Sequence, residues 1–137
     1  MTTRADEAAI EALVRELFSA FQSTQAATGS LERLPSIFTT DATVTVLSAG
    51  DLRTESVPDF IRPRRELLLG GSLTDFREWE TDGVTLLGRD VACRRSRYAK
   101  RGMRDGEEFT GVGTKVFGLV RLGGAWKILS LLWQDDA

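Results

Sequence analysis

The first part of the chain has the apolar spacing of helices. One face of an amphipathic helix collects the apolar side chains of Ile10, Leu13, Val14, Leu17, Phe18 and Phe21. We therefore predict a helix over residues 6–25, ended by the polar run 28–30. Residues 31–38 are mixed in character, and Pro35 restricts them to one or two helical turns.

A short β-hairpin and another helix are predicted next. Residues 43–47 are nearly all β-branched, which is typical of a strand, and residues 52–55 can pair back against them. Ser56 can then cap a helix that ends at Gly70-Gly71. Pro63 lies inside this helix and is expected to kink or shorten it.

The rest of the chain has the pattern of long strands joined by tight turns. Strands are predicted over residues 73–87, 90–101, 108–122 and 125–134. Asp105-Gly106 and Gly123-Gly124 are hairpin signals, so these strands should form an antiparallel meander. A bulge near Asp82-Gly83 would exchange the side chains that face inward. Helices first and a meander last indicate an α+β fold.

Composition excludes several kinds of chemistry. The chain has no histidine, which removes the usual zinc sites and the Ser-His and Cys-His nucleophile pairs. Cys93 is the only cysteine, so no intrachain disulfide can form. We expect no metal or cofactor.

The charge balance and the N-terminal residues bear on location and partners. The net charge is −2, which gives no general attraction to nucleic acid or to an anionic membrane. Residues 1–6 are polar, and no apolar stretch has the length of a membrane span, so we expect a cytoplasmic protein. The cluster of Arg62, Arg64 and Arg65 is interpreted as a solvated helix face.

Two short motifs resemble a known family. The run from Phe38 to Val44, reading FTTDATV, follows the first helix, and Trp126-Lys127-Ile128 lies in the last strand. In this order they resemble the nuclear-transport-factor-2-like superfamily, and the chain is most similar to its SnoaL-like group, which includes polyketide cyclases. The resemblance covers residues 5–135, so residues 1–137 are expected to form a single domain.

The resemblance implies a particular architecture. About three N-terminal helices should pack on a curved mixed, mainly antiparallel sheet, in a cone-shaped cystatin-like roll. A pocket is expected between the helices and the sheet, and a homodimer is expected to form through the sheet. The superfamily includes isomerases, dehydratases, epoxide hydrolases, cyclases and binding proteins, so the fold does not determine an activity.

The best-known chemistries of the superfamily are not supported by the residues. Ketosteroid isomerases that resemble this chain use an aspartate base where Val46 stands, and they need an acid within the stretch 109–120, which has none. Phe18 and Phe21 occupy the region of the first helix that carries their tyrosine. The dehydratases depend on histidine. Catalytic residues are therefore left unassigned.

The candidate site follows from strand alternation in the meander. Alternation puts Ala92, Arg94, Ser96 and Tyr98 on one face, which the resemblance directs toward the pocket. On the next strand, Lys115 alternates with Phe117. The predicted ligand-binding residues are Phe18, Phe21, Phe60, Arg94, Tyr98, Lys115 and Phe117.

Three interpretations of this site remain open. The first is binding of a small, largely hydrophobic molecule without assigned catalysis. The second is an isomerase-, cyclase- or hydrolase-type enzyme acting on a hydrophobic carbonyl or epoxide compound, in which Arg94 or Tyr98 polarises oxygen and a nearby carboxylate moves a proton. The third is a non-catalytic structural dimer module with a filled cavity. Without a ligand, Arg94 would form a structural ion pair or lie on an exposed, solvated face.

Both faces of the last strand are apolar by simple alternation. One face would carry Leu129, Leu131 and Trp133, and the other would carry Trp126, Ile128, Ser130 and Leu132. An apolar outer face needs a cover, and a second subunit is the simplest one.

Overall fold

A six-stranded mixed sheet carries the helices on one face. The computed structural model describes residues 3–23 and 31–136. The elements are α1 Thr3–Ser19, a 3-10 helix Leu34–Ile37, β1 Phe38–Ser48, β2 Asp51–Ser56, α2 Val57–Leu69, β3 Leu73–Leu87, β4 Val91–Arg104, β5 Glu107–Leu122 and β6 Ala125–Asp135. The strand order is β2-β1-β6-β5-β4-β3, in which only the β1–β6 pair is parallel. This arrangement confirms the predicted α+β roll.

Helix α1 ends earlier than predicted. It stops at Ser19, so the prediction of a helix over 6–25 is wrong at its C-terminal end. The chain turns away because it pairs with β3 instead: the Ser23 backbone N–H donates to the Phe76 carbonyl at 3.1 Å, and the Phe76 N–H donates to Ser23 Oγ at 2.7 Å. The predicted end at residues 28–30 lies outside the described residues.

Helix α2 has the predicted start and end. Ser56 Oγ accepts a hydrogen bond from the Asp59 backbone N–H at 3.3 Å, which caps the helix. The helix continues through Pro63 to Leu69, so Pro63 does not shorten it. Burial of an apolar face that includes Phe60 and Leu68 compensates for the hydrogen bond that proline cannot make. No helix among the described residues is both long and apolar enough to cross a bilayer.

The predicted bulge in β3 is present. The pairing of β3 with β4 shifts between Glu80 and Asp82, so Thr81 is the extra residue. Before the bulge Glu78 and Glu80 turn inward, whereas after it Gly83 and Thr85 do. The bulge therefore lets one strand direct two carboxylates and, further along, a hydroxyl to the same side of the sheet.

A bulge in β6 contradicts the simple alternation expected there. Gly118 pairs with Ser130 and Leu119 pairs with Ile128, which leaves Leu129 as the extra residue. As a result the helix-facing side buries Trp126, Ile128, Leu131 and Trp133, while Leu129 and Leu132 are exposed. The predicted division of these residues between two faces is wrong because a single added residue reverses the alternation.

Two-residue turns close three of the four antiparallel hairpins. Both central residues have positive φ in each: 51° and 81° at Ala49-Gly50, 51° and 85° at Asp105-Gly106, and 58° and 81° at Gly123-Gly124. Positive φ at both positions is the type I′ geometry, which matches the twist of paired strands. Ala49 is the one residue in these turns that does not favour this conformation.

Replacing Ala49 with asparagine should stabilise the protein. Asparagine adopts the left-handed region at lower cost than alanine, and Asn-Gly is a favoured type I′ pair, so we expect Ala49→Asn to raise the free energy of unfolding by about 0.5–1 kcal/mol. Urea denaturation measures the change. Ala49→Val is the matched control and should lower stability, because a β-branched side chain is strained at this φ. Equal stabilities for the two variants would contradict the turn geometry.

Candidate functional site

All seven residues predicted to bind a ligand are buried. Their exposed fractions range from 0% to 6%, and they lie on the side of the sheet that faces the helices. Their side-chain contacts divide them into two groups. Arg94 and Phe117, which are cross-strand partners, lie in one group, and the other five residues form a second group with Trp133.

Arg94 forms a closed polar cluster. Its guanidinium donates to both oxygens of Glu80, at 3.0 and 2.7 Å, and to Thr85 Oγ1 at 2.6 Å. Ser96 Oγ donates to the same carboxylate at 2.5 Å. The hydrogen bond to Glu80 raises the pKa of Arg94 further. The space beside it depends on Gly83, because a Cβ there would lie 2.6 Å from Glu80 Oε2 and would collide with the guanidinium.

Lys115 lies at the centre of the second group. Its side chain is completely buried, and Nζ donates to Glu78 Oε1 at 2.9 Å, a carboxylate whose side chain is 4% exposed. The ammonium is 3.2 Å from the centroid of the Trp133 ring and 3.8 Å from that of Tyr98. Burial lowers the pKa of Lys115 to about 8, although the charge of Glu78 opposes this shift.

Tyr98 links the buried interior to the carboxylate of Asp135, at the end of the central strand β6. Its hydroxyl donates to Asp135 and accepts a hydrogen bond from Trp133 Nε1 at 2.7 Å. Lys100 Nζ donates to the other oxygen of Asp135 at 2.5 Å. Burial, together with the hydrogen bond to Asp135, raises the pKa of Tyr98. Burial alone would raise the pKa of Asp135, but hydrogen bonds from Lys100 and Tyr98 outweigh it, and the pKa falls below its ordinary value.

Aromatic rings fill the space around these polar groups. Trp133 packs against Phe21, Phe60 and Tyr98, with centroid separations of 5.3, 5.5 and 6.3 Å. Phe18 packs on Tyr98 at 6.1 Å. The interior near Tyr98, which was predicted to be hollow, is therefore occupied by aromatic side chains.

A cavity of about 180 Å³ lies next to this packed region, at one end of the sheet. It is bounded by the second half of α2 and by the ends of five strands. Of the seven predicted residues, only Phe21 lines it. Its apolar wall is formed by Phe21, Val46, Leu47, Leu67, Leu68, Leu73, Phe76, Phe109 and Trp133, and its polar positions are Ser48, Arg64, Glu78, Lys100, Arg104 and Asp135. Within residues 3–23 and 31–136, no three Cys, Asp or Glu side chains are grouped as metal ligands would be.

Arg64 is the cavity residue that the sequence interpretation missed. Its guanidinium carbon lies 3.7 Å from the centroid of the Phe60 ring, and burial lowers its pKa. Only Arg62 and Arg65 have the exposed ion pairs expected of a solvated helix face, with Asp59 and Glu32. The spacing of residues in α2 could have predicted this position. Arg64 is four residues from both Phe60 and Leu68, so it lies on the apolar face of the helix.

The shifted Lys115 gives a testable pH dependence. Between its folded pKa of about 8 and its ordinary value of 10.5, the unfolded chain binds this proton and the folded protein does not. The free energy of unfolding should therefore rise with pH in this range, by at most about 1.4 kcal/mol per pH unit. Lys115→Met lacks the titrating group and should lack this rise. Denaturation of both proteins from pH 7.5 to 9.5 measures the difference.

A second variant tests the cause of the shift. Without the carboxylate of Glu78, desolvation of Lys115 is opposed less, so in Glu78→Gln the rise should begin at lower pH. Identical slopes for the parent protein and Lys115→Met would show that Lys115 keeps its ordinary pKa when folded.

Comparisons with known proteins agree on the architecture. Neither a protein-family model nor a curated protein matches the sequence. Among solved structures, a protein from Kribbella flavida superposes with a TM-score of 0.79 at 17% identity, over 99% of this chain and 94% of that chain. A protein of unknown function with a cystatin-like fold, from Nostoc punctiforme, gives 0.75 at 12% identity, over 99% and 94%.

A third structure carries the name of the superfamily. This NTF-2-like protein of unknown function from Silicibacter pomeroyi superposes with a TM-score of 0.65 at 22% identity, over 99% of this chain and 100% of that chain. At these identities the likeness concerns the fold, and the SnoaL-like subgroup stays a prediction. The chain has the nuclear-transport-factor-2-like, cystatin-like fold.

Proposed function

We propose that this protein binds a small, largely hydrophobic molecule in the cavity at the end of the sheet, with no assigned reaction. The observation that carries the proposal is the cavity itself, which has a volume of about 180 Å³ and a wall that is mostly aromatic and aliphatic. An apolar cavity of roughly 150 Å³ can hold a benzene molecule. The ligand is therefore expected to be about the size of one substituted ring.

The packed interior supports this wall from behind. Trp133 lines the cavity, and its indole is held by the hydrogen bond to Tyr98 and by the ammonium of Lys115. Phe21 is held between Phe60 and Trp133. A wall fixed before binding loses little conformational freedom when a ligand arrives, which favours affinity. In this proposal Tyr98, Lys115 and Phe60 position the wall, and Phe21 touches the ligand.

The hydrogen bonding of the polar groups favours binding over proton transfer. Both oxygens of Asp135 already accept hydrogen bonds from the protein, and its lowered pKa makes it a weak base near neutral pH. The Tyr98 hydroxyl donates its proton to Asp135, and Arg94 is engaged by Glu80 and Thr85. The groups that were expected to polarise a substrate oxygen are thus engaged within the protein.

Filling the cavity should abolish binding. Leu67 lines the cavity on α2 and is 39% exposed, so Leu67→Trp adds bulk at the mouth without replacing a core residue. We expect small neutral aromatic probes such as indole to bind the parent protein and to bind this variant at least about tenfold more weakly. Titration followed by protein NMR measures both affinities.

Leu69→Trp is the matched control, because Leu69 is an exposed residue of the same helix that does not line the cavity. It should bind the probes as the parent protein does. If both variants lost affinity for the probes equally, or if both kept the affinity of the parent protein, the result would argue against this cavity as the binding site.

We also propose that the protein forms a homodimer through the outer face of the sheet. This face exposes Leu132 at 50% and Val112 at 49%, and Leu132 borders an apolar hollow with Leu47, Leu52 and Val116. Exposed apolar patches of this kind are typical of interaction surfaces. A second copy of the same face would cover them.

A charge on this face should separate the subunits. We expect sedimentation at micromolar concentration to give a dimer for the parent protein and a folded monomer for Leu132→Glu, because burying an unpaired carboxylate costs several kcal/mol. Leu69→Glu carries the same charge on a helix and should remain dimeric. A parent protein that sediments as a monomer would refute the dimer.

A further inference from the structure

Arg64 lies at the cavity and makes no ion pair with a described residue. Its Nη1 donates to the Phe60 carbonyl at 3.2 Å, which uses one of its five N–H groups. The guanidinium also lies 5.4 Å from the centroid of the Trp133 ring. Among the described residues, no carboxylate lies within the 4.0 Å of an ion pair with Arg64.

The other charges of the cavity are already compensated, except for a second arginine. Glu78 is bound by Lys115 at 2.9 Å, and Asp135 is bound by Lys100 at 2.5 Å. Arg104, which also lines the cavity, packs over the Phe109 ring at 5.2 Å and has no ion pair with a described residue. Four cations therefore surround or back the cavity against the two carboxylates of its lining. Glu55, which lies outside the lining, attracts Arg64 through space but forms no ion pair with it.

An uncompensated guanidinium beside an apolar wall is unfavourable. Partial removal from water weakens the hydration of a cation, and an anion is the partner that restores the loss. The planar fork of arginine fits a carboxylate, with two parallel hydrogen bonds available. The aromatic rings of Phe60 and Trp133 fix the position of the guanidinium and leave most of its N–H groups without acceptors in the described part of the chain.

We propose that the cavity binds a small apolar carboxylic acid as its anion, with the carboxylate on Arg64 and the apolar body against Phe21, Phe76 and Trp133. The inference rests on the proposed function and narrows the ligand from a hydrophobic molecule to a monoanionic one. The volume of about 180 Å³ admits one ring or a short branched chain beside the carboxylate. A larger polyanion is disfavoured by the small volume and by the carboxylates of Glu78 and Asp135 in the lining.

Two matched probes distinguish carboxylate binding by Arg64 from binding of any hydrophobic molecule in the cavity. Benzoate and benzamide have the same ring and nearly the same shape, but only benzoate carries a negative charge. We expect benzoate to bind the parent protein at least about tenfold more tightly than benzamide, as measured by NMR titration at neutral pH and fixed salt. In Arg64→Met the benzoate affinity should fall by about tenfold while the benzamide affinity stays within about twofold.

Two further variants complete the experiment. Arg62→Met removes an exposed arginine of the same helix, paired with Asp59, and should leave both affinities unchanged. Arg64→Lys should keep part of the preference for benzoate, because it keeps the charge but loses the fork. Thermal denaturation of each variant verifies that it is folded.

The possible failures are distinguishable. Equal affinity of the parent protein for the two probes would overturn the carboxylate inference and leave the hydrophobic cavity as proposed. If Arg64→Met lowered the affinities for benzoate and benzamide equally, Arg64 would act as part of the cavity wall and not as the carboxylate-binding group. This result would also overturn the inference. Absence of binding for benzoate, benzamide and indole alike would refute the proposed function and this inference with it.

Discussion

The interior of this protein is organised around the buried ammonium of Lys115. Lys115 has no exposed surface, and its ammonium is stabilised by a single carboxylate, Glu78, and by the faces of Trp133 and Tyr98. Removing one partner of such a pair leaves an uncompensated charge and typically costs about 3–5 kcal/mol. The two residues lie on β5 and β3, with β4 between them, so the pair also fixes the alignment of three strands.

The cavity follows from this arrangement. Because Lys115 and the aromatic rings fill the centre of the roll, the remaining space is displaced to the end of the sheet, where Asp135 and Lys100 are paired. Tyr98 connects the two regions through its hydrogen bonds with Trp133 and Asp135. The same packing places Phe60 and Trp133 under Arg64 and keeps the guanidinium at the cavity.

Local chemistry made most of the fold predictable. Asp105-Gly106 and Gly123-Gly124 favour two-residue hairpin turns, and strand-like segments separated by such turns leave few alternatives to a meander. The end of α1 was not predictable in this way, because the chain leaves the helix to pair with Phe76, a residue more than fifty positions away. The bulge at Leu129 has no local signal either, since either register buries apolar side chains.

The candidate site was predictable only in part. Alternation correctly places Arg94, Ser96 and Tyr98 on the helix-facing side of β4. It does not show that the guanidinium of Arg94 is hydrogen-bonded to the carboxylate of Glu80, because that contact depends on the bulge at Thr81. Arg64 was grouped with its sequence neighbours by charge, whereas its spacing from Phe60 and Leu68 relates it to the core.

The bulge at Thr81 keeps one face of β3 continuous although the strand carries one residue more than its partner. If the strand were straightened with Thr81 retained and Glu78 in place, Asp82 and Val84 would turn inward instead of Gly83 and Thr85. Thr85 could then no longer accept the hydrogen bond from Arg94. Deleting Thr81, by contrast, would restore simple alternation, so a chain of this fold can lack the added residue and keep the same side chains facing the helices.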